Sequence, residues 1–358
     1  MRSTRQHTRA AEATEAATLS FAAACEPGRL SATLSEHGFA VVQSVVDSEM
    51  CAALVGDMKA FISSLGYPCG FGTRSAEADE SRWPNGCHGI LDGFGSGHSD
   101  AAWRARLHPR VLDVFEALHG TRKLVTSFDA VCAERPAQAR RSDEASFCLH
   151  TDQNPYSARG GGLDCVQGVL SLTATSERSG GTTVVPGSHK LHKQLLTEPP
   201  TGPTPALQEC HTLNWHELTD EQARWLTQTR GLPVLHLCTR PGDLVLWDSR
   251  TIHAGRFARD ALGGWRFAVY ICMWPASRLS EADRARKRDA MGMDGGRAET
   301  TNHWPDAREL KPRYGWPEDG GEEAPGKPAG ANEGVRTPPA IARTPSALRL
   351  AGVFPYDD

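Results

Sequence analysis

Phe147-Cys148-Leu149-His150-Thr151-Asp152 and Pro241-Gly242-Asp243-Leu244-Val245-Leu246-Trp247-Asp248-Ser249-Arg250-Thr251-Ile252-His253 are the two stretches on which the fold assignment depends. The second stretch reads as a turn, a strand and a histidine at the end of the strand. In the first, His150 and Asp152 lie two residues apart on an extended segment, so their side chains share one face. One imidazole and one carboxylate can then reach the same ion.

Short β-rich runs surround both stretches and are bounded by Gly, Pro and Asn. The runs are Leu124–Asp129, Gly168–Thr175, Thr182–Val185, Leu232–Cys238, Asp243–Asp248 and Trp265–Trp274. Such spacing is typical of a β-sandwich or a jelly roll. Helix patterns precede these runs, with a stop at Gly38 and caps at Asp47 and at Ser99 or Asp100. We therefore predict a mainly β fold, of the jelly-roll type, with supporting helices.

The 358 residues are enough for one large catalytic domain with extensions, or for two small domains. Residues 1–29 are rich in Ala, Ser, Thr and Arg, and predict a disordered or targeting tail. We assign residues 30–280 to the β domain with its N-terminal helices and 281–317 to a helical extension. Residues 318–345 are dense in Gly, Pro and Glu and predict a disordered linker before a C-terminal segment, 346–358.

Composition limits the partners that we expect. Hydrophobic residues make up 39% and charged residues 23% of the chain, which predicts a folded core. A formal net charge of -4 gives no basic field for nucleic acid or an anionic membrane. We expect a cytoplasmic protein, or an organellar one if the tail is a transit peptide. We also expect a monomer or a weak homodimer that acts on a small molecule.

Two histidines and one carboxylate form the facial triad of non-haem iron(II) oxygenases, which leaves positions open for co-substrate and dioxygen. A zinc hydrolase with an open position uses the same ligand types, but no fourth protein ligand is evident. Arg266 lies on the predicted strand that follows His253. Its guanidinium fork suits the distal carboxylate of 2-oxoglutarate. Arg256 and Arg259 are nearer in sequence and compete for this role.

Further motifs resemble the phytanoyl-CoA dioxygenase family. They are Gly168–Leu172, the turn Ser179-Gly180-Gly181-Thr182-Thr183-Val184-Val185-Pro186-Gly187-Ser188-His189-Lys190, and His150-Thr151-Asp152-Gln153. Three other segments look like a branch of that family seen in algae and large viruses. These segments are Gly95–Ser99 with Trp103, Ser127–Asp129 and Thr300–Pro305.

The resemblance implies a double-stranded β-helix of the cupin-like jelly-roll type. It also implies iron(II) bound by His150, Asp152 and His253, 2-oxoglutarate bound by Arg266, and dioxygen as the oxidant. Because Asp152 is present, where halogenating relatives lack this carboxylate, the resemblance implies hydroxylation with release of succinate and carbon dioxide. Ascorbate is a candidate supporting reductant.

Other polar residues have weaker sequence signals. Ser127, Gln167 and Ser171 lie on predicted strands and are candidates for binding the inner carboxylate of 2-oxoglutarate. Gln153 is a candidate for orienting a metal ligand from the second shell of the site. We expect His189 to fix its turn through hydrogen bonds, and His98 to serve either a loop or the pocket. No coenzyme A site is legible in the sequence.

The alternative to an enzyme is a non-catalytic jelly-roll binding protein with a vestigial metal pocket. The complete triad together with Arg266 argues against it. We expect substrate specificity to reside in three loop-rich segments, at residues 67–99, 135–147 and 197–228.

Overall fold

The structure is a computed structural model that describes residues 11–66, 89–135, 148–157, 162–259, 261–293, 295–310, 334–335 and 337–356. Its strands are β1 (Thr18–Ser20), β2 (Phe39–Gln43), β3 (Ile90–Leu91), β4 (Leu124–Thr126), β5 (Val131–Glu134), β6 (His150–Thr151), β7 (Val166–Ser171), β8 (Gly181–Val184), β9 (His216–Glu217), β10 (Leu235–His236), β11 (Leu244–Asp248), β12 (His253–Arg256), β13 (Arg266–Tyr270) and β14 (Met273–Pro275). Its α-helices are α1 (Phe21–Ala24), α2 (Arg29–His37), α3 (Ser48–Ser64), α4 (Asp100–Arg106), α5 (Pro109–His119), α6 (His192–Thr197), α7 (Pro205–Glu209), α8 (Asp220–Arg224), α9 (Glu281–Ala290) and α10 (Pro345–Leu350).

The strands of the described residues form two main sheets and a small ribbon. The large sheet has seven strands in the order β1-β2-β11-β7-β13-β5-β3, and the small sheet has five in the order β10-β8-β12-β6-β9. Strands β14 and β4 form the ribbon. The chain passes from β7 to β8 and from β11 to β12 by changing sheets. This alternation confirms the predicted double-stranded β-helix.

Both faces of the large sheet carry apolar side chains, and its central strands are buried on both sides. Side chains of a strand alternate between faces, and the two core clusters follow this rule. Ala40, Val42, Leu244 and Leu246 pack in the outer cluster with the helices. Phe39, Val41, Val245 and Trp247 pack in the inner cluster, which Val184 and Leu235 of the small sheet complete. The pocket described below lies on this inner side.

The helices predicted ahead of the β-rich runs have the boundaries and caps that the sequence indicates. Helix α2 ends at Gly38, whose φ of 81° is readily adopted by glycine. The Asp47 carboxylate accepts a hydrogen bond from the Met50 N–H at 2.8 Å and caps α3. Ser99, and not Asp100, caps α4. The apolar side chains of these helices cover the outer face of the large sheet.

Several predicted strands are shorter or divided. The run Leu232–Cys238 contributes only β10. The run Trp265–Trp274 divides into β13 and β14 because the chain changes partner. Ile271 N–H donates to the Gly168 carbonyl of β7, whereas the carbonyl of the following residue, Cys272, accepts from Ser127 N–H. The unpredicted strand β5 pairs with β13 and, on its other side, with the edge strand β3.

Within residues 1–29, which the sequence assigned to a disordered or targeting tail, the described part is ordered. Thr18–Ser20 pairs in parallel with β2, and Ala17 and Leu19 are buried. Few apolar residues are needed for a single edge strand, so the composition gave no sign of it. Residues 1–10 lie outside the described residues.

The C-terminal domain boundaries also differ from the predicted ones. Helix α9 lies in the predicted extension and is closed by a reciprocal cap between Ser280 and Asp283. Most of the predicted linker lies outside the described residues, but residues 337–345 belong to the folded part. There Ala342 and Leu348 are buried in one cluster with Trp103, so the C-terminal segment begins before residue 346. Among the described helices, none combines the length and apolarity that crossing a bilayer would require.

Candidate metal centre and its pocket

His150, Asp152 and His253 come together as a group that could hold a metal ion. One ligand atom from each residue lies within 4.8 Å of the others. His253 Nε2 is 3.2 Å from Asp152 Oδ2, and His150 Nε2 is 3.9 Å from Asp152 Oδ1. All three side chains are largely buried. The structure therefore brings together the three residues that the sequence predicts as metal ligands.

The small sheet positions the two histidines. His150 in β6 and His253 in β12 are direct partners in the antiparallel ladder, so their side chains project from the same face. Their ring centroids are 4.4 Å apart. His253 does not end β11, as the sequence suggested, but begins β12. A turn after Asp248 carries the chain to the other sheet, and the Ser188 hydroxyl holds this turn by accepting from Ile252 N–H at 2.8 Å.

Each histidine is oriented by a backbone carbonyl two residues earlier. The Nδ1 atom of His150 is 2.8 Å from the Cys148 carbonyl oxygen, and that of His253 is 2.9 Å from the Thr251 carbonyl oxygen. A carbonyl oxygen only accepts, so Nδ1 carries the proton in both rings. The Nε2 lone pairs are then free to bind a metal. Burial, followed by the nearby His253, lowers the pKa of His150 and favours its neutral form.

Asp152 is held as an anion. Burial alone would raise the pKa of this carboxyl, but interactions with His253, His150 and His303 hold the pKa well below its usual range. The Gln167 amide also donates to Asp152 Oδ2 at 3.0 Å. Two neutral imidazoles and one carboxylate on one side of a cavity fit a divalent ion with open positions. Gln167 thus contacts a candidate metal ligand, where the sequence suggested a contact with 2-oxoglutarate.

The three residues line a cavity of about 410 Å³ between the two sheets. The large sheet contributes Gln167, Trp247, Arg266 and Tyr270 to its walls, and the small sheet contributes Thr182 beside the histidines. This cavity is large enough for a small co-substrate and part of a substrate.

Arg266 lines this cavity, whereas Arg256 and Arg259 do not. The Arg266 side chain is 5% exposed, and one of its guanidinium nitrogens is 3.1 Å from Cys132 Sγ. Burial opposes its charge, but Cys132, Tyr270 and Glu134 together raise its pKa. Arg256 instead donates to the Glu177 carbonyl at 2.6 Å. Of the three arginines that the sequence offers for this role, Arg266 alone lines the cavity.

Ser127 and Ser171, the other candidate 2-oxoglutarate contacts, are not among the residues that line the cavity. The Ser127 hydroxyl accepts from Cys272 N–H at 3.3 Å, and the Ser171 hydroxyl accepts from the Thr239 hydroxyl at 2.8 Å. Both serines connect strands within the fold. Strand alternation predicts a face but does not say how deep along the strand a pocket reaches.

Gln153 has a different role from the one that the sequence suggested. Its amide nitrogen donates to the Gly162 carbonyl at 2.6 Å, and its amide oxygen accepts from the Ser249 hydroxyl at 2.6 Å. It therefore braces the loop after Asp152 and does not orient the carboxylate through these bonds. His189 fixes its turn as predicted, with Nε2 3.0 Å from the Ser35 carbonyl oxygen.

Several lining residues were missed from the sequence. They are Asp92, Asp129, Thr182, Asn214, Trp215, Tyr270, Asn302, His303 and Glu309. Asp129, Asn302 and His303 belong to segments whose family resemblance was noted, which was the available signal. His98 itself serves the loop, because it is fully buried and contacts the Glu299 carbonyl oxygen and Trp103.

The sequence model for phytanoyl-CoA dioxygenase matches residues 34–258, more than half of the chain. This match confirms the resemblance drawn from the motifs. A relative from Aspergillus versicolor, Ava biosynthesis cluster protein O, is 33% identical over 212 residues, which cover 57% of this chain and 66% of the relative. The match thus spans just under two thirds of that relative.

Two solved structures share the fold. GlcNAc Inducible Gene 2 from Candida albicans is 13% identical, with a TM-score of 0.58 over 99% of this chain and 85% of that chain. The hypothetical protein JW0805 from Escherichia coli, at high pH, is 12% identical, with a TM-score of 0.58 over 99% and 91% of the two chains. At this identity the likeness concerns the fold alone.

Proposed function

Since the chain belongs to the phytanoyl-CoA dioxygenase family of iron(II)- and 2-oxoglutarate-dependent oxygenases, we propose that it hydroxylates a small organic molecule, with release of succinate and carbon dioxide. One observation carries the proposal. The His150, Asp152 and His253 group and the buried Arg266 line the same cavity. An ion with open positions and a dicarboxylate can therefore be held side by side.

His150, Asp152 and His253 would hold the iron. The proton on each Nδ1 leaves both Nε2 lone pairs for the ion, and the anionic Asp152 offsets part of its charge. When bound, iron and 2-oxoglutarate would activate dioxygen, of which one oxygen atom becomes the hydroxyl that replaces a substrate hydrogen and the other enters succinate as carbon dioxide is released. The presence of Asp152 supports hydroxylation, because the carboxylate occupies the position that halogenating relatives leave to a halide.

Arg266 would bind the distal carboxylate of 2-oxoglutarate. Its side chain carries a permanent charge in a buried part of the cavity, where a two-pronged pair with a carboxylate is strongest. Trp247 packs in the inner core and also lines the cavity, with its ring centroid 5.1 Å from that of His253. The Gln167 amide would orient the Asp152 carboxylate. Trp247 would limit the access of water to the metal ligands.

The proposal is tested with purified protein, iron(II), 2-oxoglutarate, ascorbate and a panel of small metabolites in air. We expect succinate to form, and one metabolite to gain the mass of one oxygen atom. Asp152→Ala is the matched control and should form none. Succinate without any oxygenated product would exclude hydroxylation of the metabolites in that panel.

Two measurements separate the alternatives. Metal analysis and oxygen consumption distinguish the oxygenase from a zinc hydrolase, which binds zinc and consumes no oxygen. An anaerobic titration with 2-oxoglutarate, monitored by tryptophan fluorescence, distinguishes the oxygenase from a binding protein with a vestigial pocket. A folded protein that binds neither iron(II) nor 2-oxoglutarate would refute the proposal.

A further inference from the structure

Each of the two candidate metal-binding histidines has a tryptophan ring beside it, but the two tryptophans differ in exposure. The Trp247 ring centroid is 5.1 Å from that of His253, and the Trp215 ring centroid is 6.1 Å from that of His150. Trp247 is 4% exposed and packs in the inner core. Trp215 is 49% exposed and also lines the cavity. Core packing therefore explains Trp247, whereas Trp215 presents about half of its surface at the opening of the cavity.

Strand pairing holds the backbone of Trp215 against the strand that carries His150. Strand β9 begins directly after Trp215 and pairs antiparallel with β6. Immediately after β9, Leu218 N–H donates to the Leu149 carbonyl at 2.8 Å and extends this pairing. The position of the indole relative to the metal centre is thus fixed by main-chain pairing that does not depend on the indole itself.

A buried asparagine holds the segment that leads to this indole. Asn154 is fully buried, and its side-chain amide nitrogen lies 2.8–3.1 Å from the carbonyl oxygens of Leu207, Cys210 and Leu213. Asn154 follows the candidate ligand Asp152 by two residues, so the segment before β9 is attached to the loop of the carboxylate ligand. The indole is therefore a preorganised surface, which lowers the entropy that binding would cost.

An exposed indole at a fixed position beside a reaction centre is suited to bind part of a substrate. Apolar surface that is left in water gains free energy when a ligand covers it. The flat face of an indole pairs best with another flat ring, with ring centroids about 4.5–7 Å apart. A ring that stacked on Trp215 would lie next to His150, so the molecule that carries the ring would reach the metal centre.

Aromatic and apolar residues continue this surface into the cavity. Trp247 and Tyr270 line it from the large sheet, and Ala254 lines it from the small sheet. A flat ring offers a large contact area and has no internal torsions to restrict on binding. The lining on both sheets thus favours the same kind of ligand as the exposed indole.

We propose that Trp215 determines substrate specificity, and that the substrate carries a flat aromatic ring which stacks on the indole beside His150. This inference rests on the proposed function, because it takes the metal centre as the place where the ring-bearing molecule reacts. It assigns the ring to the oxidised molecule itself and not to a nucleoside carrier, such as the adenosine part of a coenzyme A ester. Trp215 lies in residues 197–228, one of the three segments in which the sequence predicts specificity.

The test compares 2-phenylethanol with 2-cyclohexylethanol, which share a carbon skeleton and a hydroxyl but differ in the flatness of the ring. The full chain is loaded with manganese(II) and 2-oxoglutarate, and the relaxation of probe protons in NMR measures both affinity and proximity to manganese(II). We expect 2-phenylethanol to bind at least about threefold more tightly, although its ring is the less apolar of the two. Equal or tighter binding of 2-cyclohexylethanol would overturn the inference.

Variants locate the recognition. Trp215→Leu should reduce the preference for the flat ring by about three- to tenfold, whereas Trp215→Phe keeps a flat ring and should retain most of the preference. Both variants should fold and still bind manganese(II), because the side chain is half exposed. Leu213→Ala removes another exposed apolar side chain of the same segment, outside the cavity lining, and should leave the preference unchanged. An unchanged preference in Trp215→Leu would refute the role of the indole.

Adenosine is the third probe and identifies the molecule to which the ring belongs. We expect it to bind more weakly than 2-phenylethanol. Equal or tighter binding of adenosine that Trp215→Leu abolishes would assign the indole to a nucleoside carrier and would overturn the inference.

The same experiment separates the two proposals. If manganese(II) and 2-oxoglutarate do not bind, the proposed function fails, and saturation-transfer NMR on the metal-free protein still measures the preference for the flat ring. If both bind but 2-phenylethanol is not preferred, only the inference about the substrate fails.

Discussion

His150 and His253 are each oriented by a carbonyl two residues earlier in the chain, whereas the loop wall, our name for the hydrogen-bonded residues 90–99, 127–129 and 299–309, depends on distant groups at Asp129. Its carbonyl accepts from Arg106, and the neighbouring Phe128 is fixed by Thr301. The metal side is thus organised locally on paired strands, and the loop wall through long-range bonds to buried side chains. Metal binding and the support of the loop wall should therefore be separable by mutation.

The largest effect is expected from removing a ligand on the metal side. Loss of a partner that only orients a ligand weakens metal binding by about 10–100-fold, so Asp152→Ala should weaken iron(II) binding by at least about 100-fold. Equilibrium dialysis with metal analysis measures this change. Glu36→Gln, at an exposed position of α2, is the control and should bind iron(II) normally. Near-normal affinity of Asp152→Ala would mean that the ion is held elsewhere.

Arg106→Met removes the support of the loop wall and leaves the metal ligands in place. It leaves the carbonyls of Gly97 and Asp129 buried without their donor, and should lower the free energy of unfolding by about 2–3 kcal/mol. Urea denaturation measures this loss. Arg104→Met lies on the same helix but breaks a partly exposed pair with Asp57, so it should cost less than about 1 kcal/mol. Folded Arg106→Met protein should still bind iron(II); lost iron binding would show that the two sides are not separable.

Arg266→Met addresses the co-substrate. We expect it to weaken 2-oxoglutarate binding by about 10–30-fold, since a charge-assisted pair with a carboxylate is lost, while iron(II) binding remains. Fluorescence titration without oxygen gives both constants. The matched control is Arg256→Met, whose arginine is bound to Glu177. Equal weakening by the two substitutions would contradict the assignment of Arg266.

The smallest effect is a pH dependence that originates in the support of the loop wall. Burial lowers the pKa of Lys287, whose ammonium lies 4.0 Å from the centre of the Phe128 ring, from 10.5 to about 7. Between these values the unfolded chain binds more protons than the folded chain, so the free energy of unfolding rises with pH. From pH 7 to about 8, wild type should gain about 1 kcal/mol relative to Lys287→Met. Parallel urea midpoints of the two proteins across this range would contradict it.

The same contrast explains what the sequence could predict. The metal ligands were legible because His150 and Asp152 share a strand face and His253 follows a turn with a recognisable sequence. The supporting helices were legible because caps such as Asp47 act within one turn. Asp129, Asn302 and Glu309 could not be placed in the pocket, because nothing local indicates that Thr301 bonds to Phe128. Ser127 and Ser171 lie outside the cavity lining for a related reason, since their strands were predicted but not how far along each strand the cavity reaches.

Strand β1 occupies one edge of the large sheet, alongside the apolar strand β2, Phe39–Gln43. Without β1, the backbone amides and carbonyls of β2 would face solvent beside Phe39 and Val41. An open, apolar strand of this kind invites pairing between molecules. A protein shortened to begin at Leu30 would keep every proposed ligand and still be prone to self-association. Thr18–Ser20 thus protects the molecule from self-association through β2, although none of its side chains lines the cavity.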